Sequence, residues 1–341
     1  MILHLATPAA ITKNFFLFLE ENLDCSGNFL LSASNPAAWP PLKIVKNVSS
    51  ERSVWWFLNF LSYANRAEKI IIHGLWESRV LLMLVLNPWL LKRCYWVIWG
   101  ADLYSYKNKK KSARSNFVEA LRRFVIRRMG FMVTFVEGDV DLARKWYGAT
   151  GRYLECFMYT SNIFRHPTDL AENDSAVHIQ VGNSADPSNN HLEIFDQLME
   201  YRDQNIFIYA PLSYGDAKNA QTIEKEGLRR FGKKFVAMKE LMPIEAYLKF
   251  LGKIDVAIFN HRRQQGMGNT ISLLGMGKKV YLNPEVTPWN TFKSIGIEIF
   301  DSRDVSLEPM TLDQKKSNRE TVERNFSEKK LISQLLDVLR S

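Results

Sequence analysis

Short β-rich apolar runs, separated by longer helical stretches, constrain this chain more than any other feature. Ile2 to Leu5, Ile70 to Ile72, Tyr95 to Trp99 and Phe131 to Val136 set the rhythm in the first half. Val177 to Val181, Ile206 to Ala210, Val256 to Phe259 and Val280 to Leu282 restart it in the second. Strands that alternate with helices read as βαβ units around a mostly parallel sheet. The rhythm breaks once, at the polar stretch from His166-Pro167-Thr168-Asp169 to Glu172-Asn173-Asp174-Ser175, which has the composition of a linker. The chain has 341 residues, enough for two domains of about 150 residues each. The expected organisation is two doubly wound α/β domains in tandem, residues 1–165 and 176–310, followed by a helical segment at 311–341. In that segment Ser327 can cap a helix with Leu331, Ile332, Leu335, Leu336 and Leu339 on one side. Such a stripe must be buried, and packing back toward the first domain is the expectation.

A hydrophobic fraction of 46% and a charged fraction of 24% fit a soluble globular protein. Cys25, Cys94 and Cys156 are odd in number and form no CxxC pair, so neither a disulfide framework nor a zinc site is signalled and a reducing compartment is the simpler reading. The first residues, Met1-Ile2-Leu3-His4-Leu5, lack the basic region and cleavage site of a secretory signal and read as a strand. The longest apolar stretch, Val80 to Leu91, is interrupted by Asn87 and Pro88 and falls short of the roughly 20 residues that span a bilayer.

Net charge is +9, and most of it sits in one place. Lys107, Lys109, Lys110, Lys111, Arg114, Arg122, Arg123, Arg127 and Arg128 face a single acid, Glu119, within one segment. Phe117, Leu121, Phe124 and Val125 recur there at helical spacing, which predicts a basic amphipathic helix after a lysine loop. A solvated helix face, an anionic membrane surface and a polyanionic substrate are the readings of such a segment. Nucleic acid is disfavoured, because no nucleic-acid motif accompanies the basic run.

Ligands of open α/β sheets sit beyond the carboxyl ends of the strands, so the residues there belong together. In the first half they are His73-Gly74, Gly100-Ala101-Asp102-Leu103-Tyr104 and Glu137-Gly138-Asp139. In the second half Val181 leads into Gly182-Asn183-Ser184-Ala185-Asp186-Pro187-Ser188-Asn189-Asn190-His191, and Ala210 into Pro211-Leu212-Ser213-Tyr214-Gly215. Asn260 precedes Arg262-Arg263-Gln264-Gln265-Gly266-Met267-Gly268-Asn269-Thr270, and Leu282 precedes Asn283-Pro284. Glycines let backbone amides approach a ligand, the helix start that follows adds partial positive charge, and Arg263 adds a full one. A phosphate or diphosphate is the natural guest, although any one of these loops alone could be an ordinary turn.

The combination Trp99-Gly100-Ala101-Asp102-Leu103-Tyr104, Val181-Gly182-Asn183-Ser184 with Asp186, Ser188, Asn189 and His191, and Arg263-Gln264-Gln265-Gly266 with Gly268 resembles glycosyltransferase family 56, the TDP-N-acetylfucosamine:lipid II N-acetylfucosaminyltransferases. The resemblance runs in order from about Ile70 to Trp289. It implies a GT-B fold, in which two Rossmann-like domains face a central cleft, with nucleotide-sugar on the C-terminal domain and acceptor on the N-terminal one. It implies transfer of a 4-acetamido-4,6-dideoxyhexose from a TDP-sugar to an undecaprenyl-diphosphate-linked oligosaccharide, in common-antigen or O-antigen synthesis. It also implies a peripheral position on the cytoplasmic face of the inner membrane. A UDP- or GDP-sugar donor and a non-catalytic sugar-binding role are the alternatives.

Glycosyl transfer needs stabilisation of the departing diphosphate and, where the anomer inverts, a base for the acceptor hydroxyl. Gly182, Asn183, Ser184, Asp186, Ser188, Asn189, His191, Tyr214, Arg263, Gln264, Gln265, Gly266, Gly268, Asn269 and Asn283 are the expected donor contacts, and the Phe235 to Leu241 stretch is a looser candidate. Asp102, His73 and Glu137 are rival bases. Lys109, Lys110, Lys111 and Arg114 are expected to meet lipid headgroups or the lipid diphosphate, with Trp76, Trp89 and the Val80 to Leu91 patch entering the interface. Asp139-Val140-Asp141 has the DxD spacing of a metal site, but Asp139 is better placed as a helix cap, so no metal or other obligatory cofactor is expected.

Overall fold

The computed structural model describes residues 1–32, 38–43, 54–107, 112–166 and 175–341. Along the first half run β1 (Ile2–Leu5), α1 (Ala10–Asn22), β2 (Asn28–Leu31), α2 (Val54–Arg66), β3 (Lys69–His73), α3 (Ser78–Leu86), β4 (Cys94–Val97), α4 (Ala101–Tyr104), α5 (Ala113–Arg128), β5 (Phe131–Thr134), α6 (Glu137–Tyr147) and β6 (Arg152–Glu155). The second half continues with β7 (Val177–Val181), α7 (His191–Leu198), β8 (Ile206–Pro211), α8 (Ala217–Phe231), β9 (Phe235–Met238), α9 (Ile244–Lys253) and β10 (Val256–Phe259). It ends with α10 (Met267–Gly275), β11 (Lys279–Leu282), α11 (Thr287–Ser294), β12 (Phe300–Asp301), α12 (Leu312–Asn325) and α13 (Glu328–Arg340).

These elements form two compact units, one of Met1–Ser161 with Glu328–Ser341 and one of Asn162–Ser327. Each is built on a six-stranded sheet, and every strand pair in both sheets is parallel. The first sheet runs β2-β1-β3-β4-β5-β6 and the second β12-β11-β10-β7-β8-β9. The order therefore reverses between β1 and β3 in one unit and between β7 and β10 in the other, and both are Rossmann-like. Central strands are apolar on both faces because helices cover both faces, as Ile70, Ile71 and Ile72 of β3 and the fully buried β10 show. Most of the proposed linker, from Pro167 to Asp174, lies outside the described residues.

Four strands carry too little apolar signal to read from the sequence. β2 and β9 are four-residue edge strands, β6 reads Arg-Tyr-Leu-Glu with no buried residue, and β12 has two residues. The Phe235 to Leu241 stretch is thus largely strand β9.

The C-terminal segment divides. α12 packs on α10 and is fixed to unit 2 by Asn318, whose amide pairs with both backbone groups of Glu298 at 2.8 Å. α13 belongs to unit 1 and buries Leu331, Leu335 and Val338, each contributing roughly 1.5–3 kcal/mol. Ile332, Leu336 and Leu339 are only partly covered, so the buried stripe is narrower than the sequence pattern suggests. The Lys69 ammonium donates to the Leu339 carbonyl at 2.7 Å, satisfying an end group of α13 where the helix dipole favours a cation.

Candidate functional site

In unit 2 the loops after β7 and β10 meet at the point where the strand order reverses. Gly182 leaves β7 with φ 67°, and a Cβ there would come within 2.5 Å of His191 Nε2 and 2.8 Å of Asn189 Oδ1. Only glycine lets those side chains close over the turn. Asn189 then organises the loop: its Oδ1 accepts from Asn183 N at 2.9 Å, and its amide donates to Ser184 Oγ at 3.1 Å and to the Asp186 carbonyl at 3.0 Å. His261, on the neighbouring loop, reaches the same Asn189 Oδ1 at 3.1 Å.

Asp186 joins the two loops. Its carboxylate accepts from Ser188 N at 2.9 Å and Ser188 Oγ at 2.6 Å, and pairs with Arg263 Nη2 at 3.0 Å. Burial pushes this carboxyl up, but the Ser188 and Arg263 bonds outweigh burial and hold it below its ordinary value. The Gln265 side-chain amide lies against the same hydroxyl, 3.1 Å from Ser188 Oγ. Beyond this clamp Gly266 is the left-handed N-cap of α10. The Met267, Gly268 and Asn269 amides at the start of α10 are end groups of the kind that bind anions.

Several polar atoms here are covered yet lack a hydrogen-bond partner among the described residues: Gln180 Oε1, Asn183 Oδ1, Gln264 Oε1, Gln265 Nε2 and both ring nitrogens of His191. An unsatisfied buried group costs on the order of 1–3 kcal/mol, so this cluster at the end of β7 and in the two loops is where the polar groups of a guest would find partners. Burial lowers His191 to about 4 and, aided by Arg263, His261 to about 3, so both imidazoles are neutral at physiological pH. Tyr214 is half exposed, and its hydroxyl accepts from Asn183 Nδ2 at 2.8 Å.

The structure thus brings together the predicted residues from Gly182 to Gly266. Asn283 serves its own turn, accepting from Glu285 N and donating to Asn260 Oδ1. Asn260 and Gln180 were invisible as site residues. Their signal is a polar side chain in or beside a strand whose other residues are fully buried, and Gln180 at 0% exposure is the clearer case.

The rival bases have different surroundings. Asp102, 1% exposed, accepts four hydrogen bonds: Leu75 N at 3.0 Å and Trp96 Nε1 at 2.7 Å on one oxygen, Trp99 N at 3.0 Å and Leu103 N at 2.9 Å on the other. Burial raises its pKa and those four donors oppose the rise. Its lone pairs are occupied, and its effect is to fasten the loop after β3 to the loop after β4.

His73 is also committed. Its Nε2 lies 3.1 Å from His4 Nδ1, His4 Nε2 lies 3.0 Å from Asn28 Oδ1, and His73 Nδ1 lies 2.9 Å from the Tyr159 hydroxyl. Because Asn28 Oδ1 only accepts, His4 carries its proton on Nε2. His73 must then donate from Nε2 and accept from Tyr159 at Nδ1, while Tyr159 accepts from Trp99 Nε1 at 2.7 Å. Glu137, at the start of α6, is exposed. Asp139 is fully buried in the first turn of α6 whereas Asp141 is 70% exposed, so the two cannot share a cation. The N-cap of α6 is Val136, which places Asp139 inside the helix rather than at its cap. Among the described residues no group of three or more His, Cys, Asp or Glu is arranged to hold a metal.

The basic segment differs in part from expectation. Lys109, Lys110 and Lys111 lie outside the described residues. In α5 the buried apolar residues are Val125 and Ile126, and Phe117 is 60% exposed rather than part of a buried stripe. Arg122 pairs with buried Glu119 at 2.8 Å, and Arg123 lies over Tyr106 and Tyr147, so these cations serve the fold. Arg114 is exposed. Most of Val80 to Leu91 is core, and only Leu82, Leu86 and Trp89 of that stretch project outward as large exposed apolar side chains. No helix among the described residues is long and apolar enough to cross a membrane.

Two parallel Rossmann-like units are the architecture of glycosyltransferases of the GT-B fold. The fold is similar to that of HepE from Anabaena in complex with UDP-glucose (TM-score 0.70, 11% identity, 99% of each chain covered). It is also similar to sucrose-phosphate synthase from Thermosynechococcus elongatus (TM-score 0.62, 11% identity, 99% of this chain and 98% of that one). A UDP-forming α,α-trehalose-phosphate synthase from Burkholderia vietnamiensis is similar as well (TM-score 0.63, 10% identity, 99% and 98%). At such identities the likeness is one of fold. The chain belongs to glycosyl transferase group 56, the 4-alpha-L-fucosyltransferase family, whose model matches residues 24–326.

Proposed function

We propose that this glycosyltransferase moves a 4-acetamido-4,6-dideoxyhexose from a TDP-sugar to a polyprenyl-diphosphate-linked oligosaccharide, in common-antigen or O-antigen synthesis. The observation that carries the donor reading is the mixture of groups between Gly182 and Asn269. Phosphate oxygens only accept hydrogen bonds, and they suit Arg263 and the first amides of α10. The orphaned Gln180, Asn183 and Gln264 oxygens instead need donors, which a sugar hydroxyl, an acetamido N–H or a pyrimidine N–H supplies. A nucleotide sugar offers both and a bare polyphosphate does not. The orphaned atoms are covered in this conformation, so the loops shift slightly as the guest enters.

As the glycosidic bond to the diphosphate breaks, charge builds on the leaving oxygen. Fixed amides and Arg263 stabilise it without reorganising, and one such donor is worth about 3 kcal/mol, or on the order of a hundredfold in rate. Asp102 and His73 act as positioning groups in this scheme, because both are saturated with hydrogen bonds. The exposure of Arg114, Leu86, Trp89 and Phe117 supports contact with an anionic membrane surface, where a lipid-linked acceptor resides. The position is then peripheral, on the cytoplasmic face of the inner membrane.

The test is a donor screen read by mass spectrometry, using membranes that carry the lipid-linked acceptor, with and without excess EDTA. Transfer from a TDP-4-acetamido-4,6-dideoxyhexose, undiminished by EDTA, is expected. Transfer only from a UDP- or GDP-sugar would overturn the donor assignment, and loss in EDTA would require a metal.

A further inference from the structure

Unit 1 has a pocket of its own, lined by residues that follow β1 and β3, where its strand order reverses. It is open to solvent, and Thr7, Trp56, His73, Gly74, Trp76 and Glu77 are among its lining residues. That is the place where open α/β sheets take ligands.

The wall of this pocket is fixed from several sides. Gly74 has φ 84°, and a Cβ there would lie 2.1 Å from the Trp76 indole nitrogen, so the indole folds directly over the glycine. The next residue, Leu75, is held by the Asp102 carboxylate at 3.0 Å. Trp56, 2% exposed, brings an indole N–H that has no hydrogen-bond partner among the described residues. The Arg79 guanidinium lies 5.5 Å from the Trp56 ring and its Nε pairs with Glu77 Oε2 at 2.9 Å. Glu77 is the one carboxylate among the lining residues and is 22% exposed.

The exposed Trp76 indole beside a single carboxylate suits a saccharide, whose C–H face stacks on the ring while its hydroxyls donate to the acid. We propose that this pocket seats the acceptor saccharide and that Glu77 is the base for its reacting hydroxyl. The proposal rests on the glycosyl-transfer reading above. As the acceptor oxygen bonds to the anomeric carbon, its proton passes to a Glu77 carboxylate oxygen. The bond from that carbon to the diphosphate breaks, the electron pair leaves on the phosphate oxygen, and Glu77 later returns the proton to water. Burial pushes the Glu77 carboxyl up while Arg79 opposes the rise, so the acid limb of the rate profile should lie above the ordinary glutamate value. Such a displacement inverts the anomeric centre.

Glu77→Gln and Glu77→Asp are compared with wild type, using whichever TDP-, UDP- or GDP-sugar the wild type turns over. The expected result is a kcat loss of about 10²- to 10⁴-fold in Glu77→Gln, with the acid limb abolished, nucleotide affinity kept within about twofold, and partial activity in Glu77→Asp. A Glu77→Gln enzyme within about threefold of wild type, retention at the anomeric carbon, or parallel loss of nucleotide binding would overturn the proposal. If only a UDP- or GDP-sugar is used, the TDP assignment fails and the Glu77 comparison is read on that donor. Independently of turnover, N,N′-diacetylchitobiose should quench indole fluorescence in wild type and not in Trp76→Ala. Absence of quenching at millimolar sugar would overturn the saccharide seat.

Discussion

At the scale of single residues, the difference between a structural and a chemical carboxylate lies in what already surrounds it. Asp102 receives four donors and cannot accept a fifth without surrendering one, whereas Glu77 lies partly exposed at a pocket with one cationic partner. The buried histidines share a simpler property. Burial depresses His4 and His191 to about 4, His261 to about 3, and His73 well below the ordinary 6.5. The unfolded chain takes up protons near 6.5 that the folded chain refuses, so their contribution to stability is complete above that pH and lost as pH falls toward 4. The slope approaches about 1.4 kcal/mol per pH unit for each histidine. Both units carry two of them, so the urea midpoint should fall clearly between pH 7.5 and 5.0; an unchanged or higher midpoint at pH 5.0 would contradict this.

At the scale of elements, the proposed donor loops combine a turn, a helix start and a clamp. Gly182 is where that coincidence is most easily broken. In Gly182→Ala the new Cβ must displace His191 and Asn189 in a left-handed conformation, costing roughly 1–3 kcal/mol. TDP affinity measured by titration calorimetry should fall by about tenfold or more; an unchanged Kd would remove the β7 loop from the donor site. The same elements show what a sequence reveals. The loop from Gly182 to His191 and the segment from Arg263 to Gly266 stood out in the sequence because each sets glycine beside amides or hydroxyls after a buried strand, a pattern that either one alone shares with ordinary turns. Asn260 and Gln180 were not, because a lone amide near a strand has no local signature. Glu77 was not either, since the pocket it lines is completed by Trp56 of α2, about twenty positions away.

At the scale of the whole molecule, the proposed peripheral attachment would be a property of the surface rather than of any site. Replacing Lys109, Lys110, Lys111 and Arg114 with Gln should reduce co-sedimentation with anionic vesicles while leaving TDP binding intact, since Arg122 and Arg123 are engaged within the fold. Equal sedimentation of variant and parent would exclude this surface. The two-unit parallel architecture, its family and the position of its loops followed from the sequence alone, because strand and helix periodicity and turn residues are local properties written in neighbouring positions. Which strands flank each switch point, how the C-terminal helices divide between the units, and which carboxylates are already satisfied were decided only in three dimensions. Those outcomes depend on hydrogen bonds and burial between residues tens to hundreds of positions apart, such as Leu75 with Asp102 and Lys69 with Leu339. No local pattern encodes them.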